Sequence, residues 1–211
     1  MRIIKNAVLL LAVFSLISCA ALSTAISKRN LEVKTKMQSS IFLNPVADHL
    51  KTIFVQVRNT SDEQSFNIAD TLKNQLVGKG YKIVNDPNQA HYTLQINILQ
   101  AGKTSKTALE KSPFGMFDAI GGGVAGAMIG GRHGNIGGTI IGGVIGAGAT
   151  VVANSLVEDV YYSAITDVRI NDGQNQYQTR VLSSANKVNL KWENAQPALQ
   201  KGLAESIAGV F

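Results

Sequence analysis

Apolar positions recur along this chain with two different periods, and the changes of period mark its elements. Residues 52–58 (TIFVQVR) have strand composition, and Asn59-Thr60-Ser61-Asp62 supplies turn and cap chemistry after them. Over 66–77, Ile68, Ala69, Leu72 and Leu76 fall at helical spacing, with Gly78 and Gly80 as stop signals. Residues 81–84 read as a short strand and Asp86-Pro87-Asn88 as a turn. In 91–100, Tyr92, Leu94, Ile96 and Ile98 alternate with Thr93, Gln95 and Asn97, which predicts a longer strand with one buried and one wetted face. Beyond a glycine-rich insert, 160–170 and 177–183 read as a hairpin around Asn171-Asp172-Gly173. Pro197 opens a closing helix over 195–211, where Leu199, Leu203, Ile207 and Val210 share a face. The order β-α-β-β, insert, β-β-α predicts an α+β domain with a largely antiparallel sheet and helices on one side.

The first twenty residues follow neither period. Arg2 and Lys5 precede an apolar run over 7–17, the layout of a bacterial export signal, which is set aside from the fold. The run ends in Leu16-Ile17-Ser18-Cys19, the order of a lipobox. Cys19 is the chain's single cysteine, so an internal disulfide is excluded and its thiol is available for acylation after cleavage between Ser18 and Cys19. Each buried methylene of an acyl chain contributes about 0.8 kcal/mol, so N-acyl and S-diacylglycerol groups on one residue would hold it firmly in a leaflet. Ala20 is not the aspartate associated with inner-membrane retention, which points to the outer membrane. The competing reading is a soluble secreted protein whose signal ends near a cysteine. Losing Arg2 and Lys5 lowers the formal charge of +6 by two, and the remaining cations are scattered. With no basic stripe interleaved with aromatics, no nucleic-acid partner is expected.

Of the 20 glycines, most fall between Gly115 and Gly148. Gly122, Gly126, Gly130, Gly134, Gly138, Gly142 and Gly146 recur at every fourth position, a helical register. Glycine costs about 1 kcal/mol against alanine in an exposed helix, so close helix contact must offset the repeat, as small-xxx-small faces do in lipid. Arg132-His133-Gly134-Asn135 interrupts the apolarity, which predicts a turn between two arms, 117–131 and 136–157. The expectation is a glycine-zipper transmembrane helical hairpin whose Gly122, Gly126, Gly130, Gly138, Gly142 and Gly146 pack copies into a homo-oligomer. A glycine-rich loop, or a tight hairpin buried inside the protein, is the competing reading. A phosphate-cradling loop is poorly supported, because no GxxxxGK[ST] occurs. The chain thus divides into a signal peptide (1–18), a lipidated N-terminal arm (19–40), a first part of the α+β domain (41–113), a glycine-rich membrane hairpin (114–157) and a second part of the domain (158–211).

Catalytic chemistry finds little footing. His49, His91 and His133 are far apart and lack metal-spaced partners, so no metal site is expected. The acidic pairs Asp62/Glu63 and Glu158/Asp159 read as a helix cap and a membrane-boundary marker rather than as acid and base. Ser183-Ser184 lacks the G-x-S-x-G setting of a hydrolase elbow. No enzyme and no cofactor beyond the covalent lipid on Cys19 are expected.

Several segments resemble the TraT family of plasmid-encoded surface-exclusion lipoproteins, also called complement-resistance proteins. They are ALSTAISKRNLEVKTKM (21–37), VRNTSD (57–62), KGYKIVNDPNQAHY (79–92), VEDVYYSAITDVRI (157–170) and YQTRVLSSANKVNLKWENAQPALQ (177–200). The resemblance implies an abundant, oligomeric outer-membrane lipoprotein that makes a plasmid-bearing cell a poor recipient for a like plasmid, with complement resistance as a second association. Of the family's functional residues, only the modified cysteine carries over, to Cys19. Two segments depart from the family: the short link 171–176 between the late strands, and GKTSKTALEKSPFGMF (102–117). The partners implied are other copies in a ring or cluster, outer-membrane lipid, and a donor pilus or mating-apparatus protein or a recipient outer-membrane receptor. The alternative is an oligomeric secretion or envelope-structure lipoprotein of the outer membrane.

Overall fold

The computed structural model describes residues 28–112, 114 and 158–211. Six strands form one curled sheet in the order β1-β6-β5-β4-β2-β3. They are β1 (Glu32–Met37), β2 (Thr52–Asn59), β3 (Lys82–Val84), β4 (Tyr92–Thr104), β5 (Asp159–Asn171) and β6 (Gln176–Val188). The helices are α1 (Ala69–Gly78), α2 (Lys106–Glu110) and α3 (Trp192–Ala208).

The long strands follow from alternation. On β5, Val160, Ala164, Val168 and Ile170 enter the main core while Tyr161 and Ile165 point to the other face. The β5–β6 hairpin pairs Asp159 with Val188 through to Asn171 with Gln176, and Asp172-Gly173 makes its turn with Gly173 at φ +84°. A bulge between Ile98 and Gln100 in β4 shifts the register against β5, so the core-facing set changes parity from Leu94, Ile96 and Ile98 to Ala101.

Helices α1 and α3 pack together over one face. Leu72 and Leu76 of α1 meet Leu199, Leu203 and Ile207 of α3, together with Ile53, Leu94 and Ile98 of the sheet, all fully buried. Fully burying one such side chain contributes about 1.5–3 kcal/mol, so this layer is the main source of stability. At Gly202, α3 comes so close that an added Cβ would stand 2.5 Å from Thr35 Oγ1 and 2.8 Å from Ser183 Oγ. Those two hydroxyls are themselves hydrogen-bonded at 2.9 Å.

The fold class expected from the sequence needs correction on three points. The sheet is mixed: β3, β2 and β4 run parallel, and only the β4-β5-β6-β1 part is antiparallel. Helix α1 carries the chain over the sheet between β2 and β3 and so returns it parallel. Because β3 has only three residues, the link 85–91 can bring the chain back to the start level of β2 and launch β4 in the same direction. Secondly, the helices are not all on one side, since Leu109 of α2 packs with Tyr161, Ile165 and Leu182 on the face opposite α1 and α3. Thirdly, no glycine-zipper transmembrane hairpin is shown: among the described residues no helix is long and apolar enough to cross a membrane, and the segment expected to form the hairpin, 114–157, lies outside them apart from Phe114.

Three elements differ in detail from the sequence reading. The polar arm contains β1, which pairs antiparallel with β6 from Glu32–Asn186 to Met37–Val181. Helix α3 begins at Trp192, so Pro197 lies inside it rather than at its start. Asp62 and Glu63 do not cap α1; Asn67 Oδ1 accepts from Ala69 N–H at 2.8 Å.

Candidate functional site

The residues that the sequence assigns to signal cleavage, lipid attachment, membrane packing and the hairpin turn all lie outside the described residues. This holds for Ser18 and Cys19, for Gly122, Gly126, Gly130, Gly138, Gly142 and Gly146, and for Arg132, His133, Gly134 and Asn135. The structure does show where the segments holding them join the fold. The insert leaves after α2 and re-enters at Glu158, just before β5. Lys28, the first described residue, accepts a hydrogen bond at its carbonyl oxygen from Val188 N–H at 3.1 Å, at the end of β6. Both segments therefore join the sheet at one pole, opposite the Asp172 turn.

Glu158 is held there from several sides. Asn189 N–H donates to Glu158 O at 2.8 Å, and Glu158 N–H donates to Asn189 Oδ1 at 2.9 Å. Asn189 adopts the left-handed conformation, φ 50°, which turns its backbone and side chain toward the same residue. Asparagine tolerates that conformation better than most side chains. Lys103 Nζ donates to Glu158 Oε1 at 2.8 Å across the gap between the end of β4 and the start of β5. Both side chains are about half exposed (52% and 51%), so this pair contributes only about 0–1 kcal/mol and serves mainly to align the two strands.

Opposite α3, a small second core closes over the outer face of the sheet. Leu109 and Phe114 pack on Tyr161, Leu182 and Ile165. Phe114 thus belongs to the sheet's packing, although the sequence groups it with the insert. Ser105 at the start of α2 accepts from Ala108 N–H at 3.1 Å and fixes the helix start. Burial, reinforced by the nearby Asp159 carboxylate, pushes the Tyr161 phenol far above its ordinary range, so it stays neutral at physiological pH. Asn186, buried beside it, donates to Val160 O at 3.0 Å and to Asp159, while its Oδ1 has no partner among the described residues.

On the helix side of the same pole lies an open cleft of about 450 Å³ lined by Lys103, Glu158, Tyr162, Asn189, Lys191 and Trp192, among others. Trp192 is half-buried, its ring centroid 5.4 Å from that of Tyr162 and 5.8 Å from that of Phe66. Among the described residues no three His, Cys, Asp or Glu side chains come together as metal ligands. His91 stands edge-on to Tyr92 with centroids 4.6 Å apart, and His49 lies in the 3-10 turn before β2. Ser183 and Ser184 are buried in β6, where Ser183 meets Thr35. Sequence reasoning missed Lys103, Asn189 and Trp192. For Asn189, the sequence Lys187-Val188-Asn189-Leu190 gives only a weak signal, an asparagine at the end of an apolar strand.

Comparison with known proteins matches the arrangement to a family. A family model described as "Enterobacterial TraT complement resistance protein" matches residues 30–176 and 171–211. A TraT complement resistance protein of Escherichia coli is 38% identical over 242 residues, covering 100% of this chain and 98% of that protein. Its counterpart in Escherichia coli strain K12 is 39% identical over 232 residues, covering 93% of each. Among solved structures, a minor lipoprotein from Acinetobacter baumannii aligns with a TM-score of 0.36 and 10% identity, over 78% of this chain and 91% of that one. Overlap at that level establishes no shared fold. The matches to sequence relatives run through both halves of the sheet and across the insert, and the chain belongs to the TraT complement resistance protein family.

Proposed function

We propose that this protein is an outer-membrane lipoprotein, anchored by acyl groups on Cys19, that mediates surface exclusion. Displayed on a plasmid-bearing cell, it blocks stabilisation of mating pairs with a donor of a like plasmid, and it contributes to resistance against complement. Full-length similarity to TraT complement resistance proteins carries this reading. The lipobox Leu16-Ile17-Ser18-Cys19 supplies the means of attachment.

The action is steric and recognitional: copies assembled as a homo-oligomer either mask a recipient receptor or occupy a tip protein of the donor's mating apparatus. The link 171–176, largely exposed, and the segment 102–117, which exposes Lys103, Lys106, Thr107, Glu110 and Lys111 among its described residues, are where the chain departs from the family and are the natural carriers of partner choice. Plasmid-free recipients expressing the chain should acquire a closely related plasmid less often than recipients with an empty vector, while uptake of an unrelated plasmid is unchanged. Equal uptake of the related plasmid by both recipients would overturn the proposal.

A further inference from the structure

Two chain segments leave the fold at one pole, and several cations stand exposed there beside the carboxylates Glu110, Glu158, Asp159 and Glu193. Arg29, Lys111, Lys187 and Lys191 are exposed and make no ion pair among the described residues. Lys106 is 59% exposed, with Glu110 3.6 Å away. Trp192, the chain's single tryptophan, sits half-buried in the cleft between them.

Chain length fixes which end of the fold can approach a leaflet that holds Cys19. Fully extended, the chain from Cys19 to Lys28 spans at most about 32 Å. Strand β5 has 13 residues and runs from this pole to the Asp172 turn. At roughly 3.4 Å per residue that is about 44 Å, longer than the tether. The molecule therefore cannot stand on its Asp172 end while Cys19 remains in the leaflet.

We infer that this pole is a lipid-docking surface, on which Arg29, Lys106, Lys111, Lys187 and Lys191 meet the anionic phosphates of the phospholipid leaflet that holds the chain. The inference rests on acylation of Cys19 as proposed above. Anionic headgroups attract clustered lysine and arginine within about a Debye length, roughly 8 Å at physiological salt, and indole rings favour the same interfacial depth. The outer face of the sheet is the competing contact. It presents Arg58 and Arg169, but it would leave Trp192, on the opposite face, away from the lipid.

The lone tryptophan makes the orientation measurable. The full-length lipidated chain is reconstituted into phosphatidylethanolamine/phosphatidylglycerol vesicles containing a lipid with a nitroxide on its headgroup, and Trp192 emission is recorded. The expected result is clear quenching, with Lys187→Glu/Lys191→Glu losing most of it while remaining vesicle-bound. An equal charge change on the outer face and edge strand, Lys36→Glu/Arg58→Glu, should leave it intact. Absence of quenching in a chain that mass spectrometry shows to be acylated and that floats with the vesicles would overturn the docking surface alone. Equal loss in both double variants would do the same, by reducing the effect to net charge. A chain found unacylated at Cys19 would instead overturn the reading on which the inference rests.

Discussion

Substituting Gly202 with alanine tests the closest contact in the fold. The added methyl would stand 2.5 Å from Thr35 Oγ1, 2.8 Å from Ser183 Oγ and 3.5 Å from Val33 Cγ1, where ordinary contact begins near 3.4 Å. Neither hydroxyl is the end of a long flexible side chain, and the two are joined at 2.9 Å over the β1–β6 pair. Either α3 lifts from β1, loosening Leu199, Leu203 and Ile207, or the hydroxyl pair rotates apart. Overpacking of this kind costs about 1–3 kcal/mol. Removing a glycine from a helix interior returns about 1 kcal/mol. The net expectation is a loss of about 0–2 kcal/mol, which for a chain of this size lowers Tm by up to roughly 8 °C. Urea unfolding followed by circular dichroism reads the difference directly. In the Gly202→Ala background, Thr35→Ala should cost at least about 1 kcal/mol less than it does in the wild type, because it removes the clashing oxygen. A Gly202→Ala protein as stable as the wild type, with no coupling to Thr35, would refute the close approach.

Further outcomes follow from the same contacts. Asn189→Ala should destabilise by about 2 kcal/mol in urea unfolding, through left-handed strain and a lost hydrogen bond to Glu158, whereas Asn189→Gly should recover the conformational part. Leu203→Ala should cost about 2–5 kcal/mol as a buried cavity in α3, measured the same way. Hydrogen bonds from Asn175, then Gln174 and Tyr177, hold the Asp172 carboxyl below its ordinary range. Its contribution is present above the unfolded pKa and is lost as pH falls through the lower folded value. The stability gap between wild type and Asp172→Asn should therefore narrow as pH drops below about 4, and a gap unchanged down to pH 2 would contradict the turn's hydrogen bonding. Cells expressing the chain should outlive vector controls in fresh serum but not differ from them in heat-inactivated serum, as scored by colony counts.

The sequence makes most of the sheet legible where burial imposes a strong period. Tyr92 to Ile98 alternate strictly because that strand is central, and the hairpin is readable from Asn171-Asp172-Gly173 between two apolar runs. Strand β1 is hidden for the converse reason. It lies at the sheet edge, its inward set Val33, Thr35 and Met37 is only weakly apolar, and Glu32, Lys34 and Lys36 alternate with it as charges that discourage further edge pairing. The parallel β3-β2-β4 block is missed because strand direction depends on where the α1 crossover and the link 85–91 place the chain, which composition does not encode. Proline at 197 reads as a helix start, yet burial of Ala195 draws the helix back to Trp192. The family is legible from local sequence, and the proposal of Cys19 as the attachment point rests on the lipobox alone. Lys103 and Trp192 were not legible, because their significance comes from the pole at which the strand ends converge.

The most direct test is mating frequency into plasmid-free recipients expressing either the wild-type chain or Cys19→Ser at equal levels, using donors of a related and an unrelated plasmid. The expected result is a large drop for the related plasmid with wild type, restored to the control level by Cys19→Ser, and no change for the unrelated plasmid. Exclusion that persists undiminished in Cys19→Ser, or that strikes both donors alike, would contradict a lipid-anchored surface-exclusion protein.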